Sequence, residues 1–214
     1  MAIQVFIVDD HTMVREGLRM MLEAQPNILV IGEAANGHEA VRLVSLRCPD
    51  VLLMDVLMPG LNGIEATYQI RALCPSTRIV MLWMVADEEV AVRALQAGAI
   101  GYILKDASGA EVVNAIQAAY VGRGYFSQQL THIEAKREQI LAASPLQKLS
   151  EREREIVQLI AEGRTSAEIS QIFKLSPKTI ETYRSRLMRK LRIDTIPGLV
   201  KFAIKHGLTS LDDS

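Results

Sequence analysis

Five short apolar runs, at residues 3–8, 28–31, 51–55, 78–83 and 100–104, alternate with five segments whose apolar residues recur at helical spacing. This alternation is restrictive. Consecutive parallel strands need long crossovers, and right-handed crossovers put helices on both faces of one sheet. The third run, Val51-Leu52-Leu53-Met54-Asp55, is apolar up to its last position, as expected of a strand covered on both faces. The expected fold of this half is therefore α/β. Asp55 alone reads either as a turn cap or as a ligand group, because open α/β sheets bind at the carboxyl ends of their strands.

Two further runs close on ionisable residues: Asp9-Asp10 follow the first and Lys105 follows the fifth. In a flavodoxin-like strand order, 2-1-3-4-5, the first and third strands are neighbours, so three carboxylates share one site. Like charges at such range oppose one another and raise one member's pKa. A hard divalent cation relieves this, and Mg²⁺ takes one or two carboxylates with water and phosphate oxygens. Lys105 adds one positive point charge suited to a phosphoryl oxygen.

The pattern changes after Gly122-Arg123-Gly124. Residues 127–143 read as a polar, helical linker, and beyond Ser144-Pro145 every periodic segment is helical. The expected division is 1–122, a linker 123–148, a small all-α domain 149–209 and a tail 210–214. Ser108 with Glu111, and Ser150 with Glu153, have capping-box spacing. Thr165 or Ser166 caps the next helix, and Ser176-Pro177 opens a longer one, with Pro where no N–H is needed. Pro197-Gly198 precede a last helix that ends near His206.

Charge divides with the pattern. Residues 1–126 carry net −5 and residues 127–214 net +4; within 174–192, seven basic residues stand against Glu181 alone. A locally basic second half points to a polyanion. No apolar run approaches the roughly 18 residues of a spanning helix, and no secretory signal is visible. No membrane association is expected. Cys48 and Cys74 each precede a proline and lack metal-type spacing, so reduced thiols in a cytoplasmic protein are expected.

Asp9-Asp10, Asp55 with Met58-Pro59-Gly60, and Gly101-Tyr102-Ile103-Leu104-Lys105 resemble the receiver domain of two-component response regulators. The resemblance implies that Asp55 accepts a phosphoryl group from a histidine kinase. It also implies that Asp10, Asp55 and the Leu57 carbonyl hold Mg²⁺ (Asp9 acting through a metal-bound water), and that Tyr102 is the switch aromatic. Ala167-Glu168-Ile169, Leu175-Ser176-Pro177-Lys178-Thr179-Ile180 and Arg189-Lys190-Leu191 resemble the LuxR-type helix-turn-helix module. Together the two halves are similar to the NarL/FixJ group: cytoplasmic, DNA-binding homodimers that are not enzymes.

Roles on the basic helix divide by position. Ile180, Leu187 and Leu191 share a stripe toward the core, and Glu181, Thr182 and Ser185 are candidates for base edges. Lys178, Thr179, Arg184, Arg186 and Arg189 are candidates for phosphates. Glu181 reads equally as an intrahelical partner of Lys178 or Arg184. Leu199, Phe202 and Ala203 on the last helix are the expected dimerisation residues.

One position departs from the family. Trp83 stands where a small Ser or Thr is usual, and is expected either to occupy the space for Tyr102, weakening the switch, or to point away and pack as core. Two rival readings remain: a phosphatase or phosphotransferase using Asp55 as nucleophile, and a phosphorylation-independent dimeric DNA-binding regulator whose receiver is a scaffold.

Overall fold

The computed structural model describes residues 2–210; the expected tail falls outside them from residue 211 on. The described residues form two compact units, one ending at Leu141 and one beginning at Ala142. Among them, no helix is long and apolar enough to cross a membrane.

The first unit is built on a parallel sheet of β1 (Ile3–Val8), β2 (Ile28–Ala34), β3 (Val51–Asp55), β4 (Arg78–Trp83), β5 (Gly101–Leu104) and β6 (Tyr125–Phe126). The strand order is β2-β1-β3-β4-β5-β6. It contains the expected 2-1-3-4-5 arrangement, with β6 as an additional edge strand drawn from the region read as linker. All five β3 residues are buried. Alternate residues enter different cores: Leu52 and Met54 join Tyr102, Ile64 and Val90, whereas Val51 and Leu53 join Ile7, Ile103 and Ile116. A strand buried on both faces must be apolar throughout, which is what the run at 51–54 records.

Helices α1 (Thr12–Glu23) and α5 (Gly109–Tyr120) cover one face. The other is covered by α2 (Gly37–Arg47), α3 (Gly63–Leu73) and α4 (Glu88–Ala97). Asn36, Asn62, Asp87 and Ser108 each accept a backbone N–H of the first turn, satisfying a group the helix itself leaves unpaired. The expected capping box at Ser108 is only half formed. The Glu111 carboxylate instead accepts from Ser127 Oγ at 2.9 Å, tying α5 to the segment after β6.

That segment belongs to the first unit. Ser127 Oγ also accepts from Leu104 N–H at 3.2 Å, and Leu130 and Ile133 are buried in the first unit's core. Helix α6 (Ile133–Ala143) follows, and His132 pairs with Glu88 at 2.5 Å. Leu130 and Ile133, read as apolar residues of a polar linker, are therefore core.

The expectation of reduced thiols is not met: Cys48 and Cys74 form a disulfide, with Cα atoms 5.5 Å apart. The residues are 26 apart in sequence, but they end α2 and α3, which the parallel topology sets side by side on one face. Spacing along the chain carries no sign of that.

The second unit contains α7 (Glu151–Ala161), α8 (Ser166–Phe173), α9 (Pro177–Leu191) and α10 (Ile196–Lys205) around Ile156, Leu159, Ile169, Ile180, Leu187 and Leu199. Full capping boxes form at Ser150/Glu153 and Thr165/Glu168. The last helix starts earlier than expected: Thr195 caps it and Pro197 lies inside its first turn, where a missing N–H costs nothing.

Gly63 shows how tightly the sheet end is built. A Cβ there would lie 1.8 Å from the Asp55 carbonyl oxygen, a backbone atom that cannot swing away. Gly63→Ala is expected to destabilise the first unit by about 3 kcal/mol or more. In a calorimetric scan the first unit's transition should fall while that of the second unit stays in place.

Candidate functional sites

The carboxyl ends of β1, β3 and β5 bring Asp9, Asp55 and Lys105 together. Asp9 and Asp55 are essentially inaccessible, at 0% and 1% exposure, and Asp10 is partly buried beside them. The Lys105 ammonium lies 2.7 Å from Asp9 Oδ2 and 2.7 Å from Asp55 Oδ2. Asp55 Oδ1 is buried without a hydrogen-bond partner. One ammonium thus bridges two buried carboxylates, and the second oxygen of Asp55 is left uncommitted.

The electrostatics follow. Burial first, and then the neighbouring charge of Asp9, push the Asp55 carboxyl up to about 7, although Lys105 opposes the shift. Burial works against the charged form of Lys105, but its contacts with Asp55 and Asp9 outweigh that and hold its pKa above the ordinary lysine value. A site with one ammonium for three carboxylates stays short of positive charge.

His11 is a member of this cluster that the sequence reading missed. Its Nδ1 lies 2.8 Å from Asp10 Oδ1 and 3.2 Å from Asp9 Oδ1, and its backbone N–H donates to Asp9 Oδ1 at 2.9 Å. One ligand atom from each of Asp9, Asp10, His11 and Asp55 lies within 4.8 Å of the others. The run Asp9-Asp10-His11 at a strand end was the available signal. Hard carboxylate oxygens at this density, one of them unpartnered, fit an oxygen-seeking divalent cation. Leu57 lies two residues beyond Asp55, with its side chain packed on the core.

Tyr102 and Trp83 lie on the α2–α3–α4 side of the sheet. Tyr102 is completely enclosed, and Trp83 is partly buried against the same core cluster. The expectation that Trp83 takes the space of Tyr102 is corrected: the sheet offers room for both. The cost is polar, because neither the Tyr102 hydroxyl nor the Trp83 Nε1–H has a hydrogen-bond partner. Burial, followed by the charges of Asp87 and Asp55, raises the Tyr102 phenol above its ordinary range.

The second unit presents the basic helix. Ser176 accepts from Thr179 N–H at 3.1 Å and caps α9. Ile180 and Leu187 are buried, and Leu191 packs beside them, as the stripe predicts. Lys178, Thr182 and Arg186 recur every fourth residue and line one shallow groove of about 410 Å³ with Ser176, Thr179 and Tyr183. Tyr183 was not singled out in the sequence; an aromatic between basic residues on a groove-facing row was the clue. Arg189 lies in a separate depression with Ser185 and Arg192.

Glu181 is exposed, accepts from the Ser166 hydroxyl of α8, and stands 4.0 Å from Arg184. The pairing with Arg184 is present, and the tie to α8 was not anticipated. The hydroxyls of Thr182 and Ser185 donate to helix carbonyls four residues earlier, at 3.0 Å each. Lys190 is drawn away to Glu153 at 2.6 Å.

Two of the three expected dimerisation residues, Leu199 and Ala203, need correction. Leu199 and Ala203 are completely buried in the core of the second unit, where α10 packs against α7, and Phe202 is half-buried against His206. Helical spacing showed that α10 has an apolar face, but a face needed by the domain itself looks the same in sequence as one kept for a second chain.

Comparison with known proteins assigns each half of the chain to a family. Residues 5–117 match the family described as "Response regulator receiver domain", and residues 147–203 match "Bacterial regulatory proteins, luxR family". The chain is 39% identical over 216 residues to response regulator UvrY of Escherichia coli (strain K12), covering 98% of this chain and 97% of that one. It is 40% identical over 210 residues to transcriptional regulatory protein LiaR of Bacillus subtilis (strain 168), covering 97% of this chain and 100% of that one. A solved structure of two RcsB dimers bound to two parallel DNAs is similar with a TM-score of 0.58 at 25% identity, over 96% of this chain and 99% of that chain. With an acidic cluster at the sheet end and a basic helix in a separate LuxR-type domain, the chain belongs to the NarL/FixJ-type two-component response regulators.

Proposed function

We propose that Asp55 accepts a phosphoryl group from the phosphohistidine of a sensor kinase, and that this acylphosphate controls dimerisation and binding of α9 to double-stranded DNA in the cytoplasm. The observation that carries this reading is the buried, unpartnered Asp55 Oδ1 beside an oxygen already held by Lys105. A lone pair on Oδ1 forms the O–P bond as the N–P bond breaks and its electrons return to the imidazole. Lys105 holds Asp55 in position and offsets the added negative charge. The donor set of Asp9, Asp10 and Asp55, with the Leu57 carbonyl, suits Mg²⁺, which when bound neutralises charge on the phosphoryl oxygens. In this reading the protein is a phosphoryl acceptor rather than an enzyme.

Trp83 makes the coupling atypical. Tyr102 is already enclosed beside it, so burial of the aromatic is not reserved for the phosphorylated state. That same observation favours a second reading, a phosphorylation-independent dimeric regulator with the receiver as scaffold. For DNA, a helix of the second pair member lies in the major groove in helix-turn-helix proteins. Lys178 and Arg186 then meet phosphates on the row shared with Thr182, while Glu181 and Ser185 face base edges. The RcsB structure, with dimers on DNA, supports a homodimer, and with Leu199 and Ala203 buried its contacts come from residues other than these two.

The reading is tested by Phos-tag electrophoresis with acetyl phosphate and Mg²⁺, run with size-exclusion chromatography. The wild type should form one shifted species and Asp55→Asn none, whereas Trp83→Thr should show a larger change in dimer fraction on phosphorylation than the wild type. Equal dimer fractions before and after phosphorylation in the wild type would favour the scaffold reading.

Asp55 also sets a pH dependence. Because its folded-state pKa is raised from 3.8 to about 7, it favours folding at low pH, and that contribution is lost as pH rises through 7. Without divalent cations, stability relative to Asp55→Asn should fall between about pH 4 and pH 7 by up to about 1.4 kcal/mol per unit in urea melts, and level off above pH 7. No difference in slope between the two proteins would refute the raised pKa.

In fluorescence-anisotropy titrations, Lys178→Ala and Arg186→Ala should each weaken all DNA sequences about tenfold and lower the salt slope by about 1. Glu181→Ala should instead change sequence preference. A uniform loss from Glu181→Ala would remove it from the base-reading set.

A further inference from the structure

We infer that Cys48 and Cys74 form a reversible thiol–disulfide site, opened and closed by exchange with small thiols of the glutathione class. The geometry distinguishes the two sulfurs. Cys74 is 1% exposed, whereas Cys48 is exposed at the C-terminus of α2. An external thiolate therefore reaches Cys48 Sγ and not Cys74. Attack forms a mixed disulfide at Cys48, breaks the Cys48–Cys74 bond, and releases Cys74 as a thiolate that takes up a proton. A second small thiolate attacks the outer sulfur of the mixed disulfide and frees Cys48. The balance is one protein disulfide and two small thiols giving two protein thiols and one small-molecule disulfide.

The reduced state is as well provided for as the oxidised one. Cys74 Sγ lies 3.6 Å from the Val44 carbonyl oxygen. In the disulfide that sulfur has no proton to give; once reduced, the buried thiol has an acceptor already in place. The same carbonyl receives the Cys48 N–H at 2.8 Å, so the cap of α2 survives reduction.

Nor does reduction separate the two cysteines. The Thr77 hydroxyl donates to the Pro49 carbonyl at 2.8 Å, and Arg78 N–H donates to the Asp50 carbonyl at 2.9 Å. These bonds join the residues just after Cys48 to residues three and four beyond Cys74, and hold the sulfurs in register for re-closure. Breaking the bond releases a covalent loop spanning a separation of 26 residues and loosens the C-terminal end of α3, whose N-terminal Gly63 is seated on Asp55.

The test uses the full-length protein equilibrated in a series of reduced and oxidised glutathione, quenched with acid, alkylated with N-ethylmaleimide in denaturant, and weighed by mass spectrometry. The expected populations are an unlabelled form under oxidising conditions and a doubly labelled form under reducing ones. The two should interconvert without unfolding, and the receiver-unit Tm should fall about 10 °C on reduction. Cys74→Ser should take one glutathione at Cys48, and Cys48→Ser should leave Cys74 unreactive in the native protein. Two labels at every ratio, a disulfide that opens only in denaturant, or glutathione on Cys74 in Cys48→Ser would each overturn the inference.

Discussion

The Lys105 ammonium, 2.7 Å from both Asp9 and Asp55, is the interaction on which the sheet end depends. Two carboxylates at zero and one per cent exposure repel each other in a medium that screens them poorly. Removing the cation between them would leave buried charge uncompensated, the costliest fault a core can carry. Yet one ammonium does not neutralise three carboxylates, and the residue left under-satisfied is Asp55, with its pKa near 7 and one unpartnered oxygen. The site is paired well enough to be buried, yet one oxygen of Asp55 stays without a partner.

The same strand that supplies Lys105 carries the consequences outward. Tyr102 lies three residues earlier on β5, β6 pairs with β5, and Ser127 bonds to Leu104 and to Glu111 of α5. The end of β5 is thus joined to the segment that follows β6 through backbone bonds as well as side chains. Trp83 and Tyr102 add two buried donors without acceptors to this neighbourhood. Such groups are costly where they stand.

The second unit meets different demands with simpler means. Among the described residues its core is a dozen buried apolar side chains, and α9 divides cleanly into a buried stripe and a polar surface. Lys178, Thr182 and Arg186 form one row because a fourfold repeat keeps nearly the same azimuth on a helix of 3.6 residues per turn. Glu153 removes Lys190 from the basic face by pairing with it.

Much of this was legible along the chain. Apolar runs ending at Asp9, Asp55 and Lys105, the cap residues Ser150 and Ser176, and the stripe Ile180–Leu187–Leu191 are local patterns, and local patterns determine strands, helix starts and faces. What the tertiary structure alone decided depends on contacts between segments far apart in sequence. Glu111 turned from its own cap to Ser127, Leu130 and Ile133 entered the core, and Cys48 found Cys74 because parallel topology set two helix ends together. Leu199 and Ala203 were spent inside their own domain. Periodicity states that a helix has an apolar face; only packing decides which surface covers it.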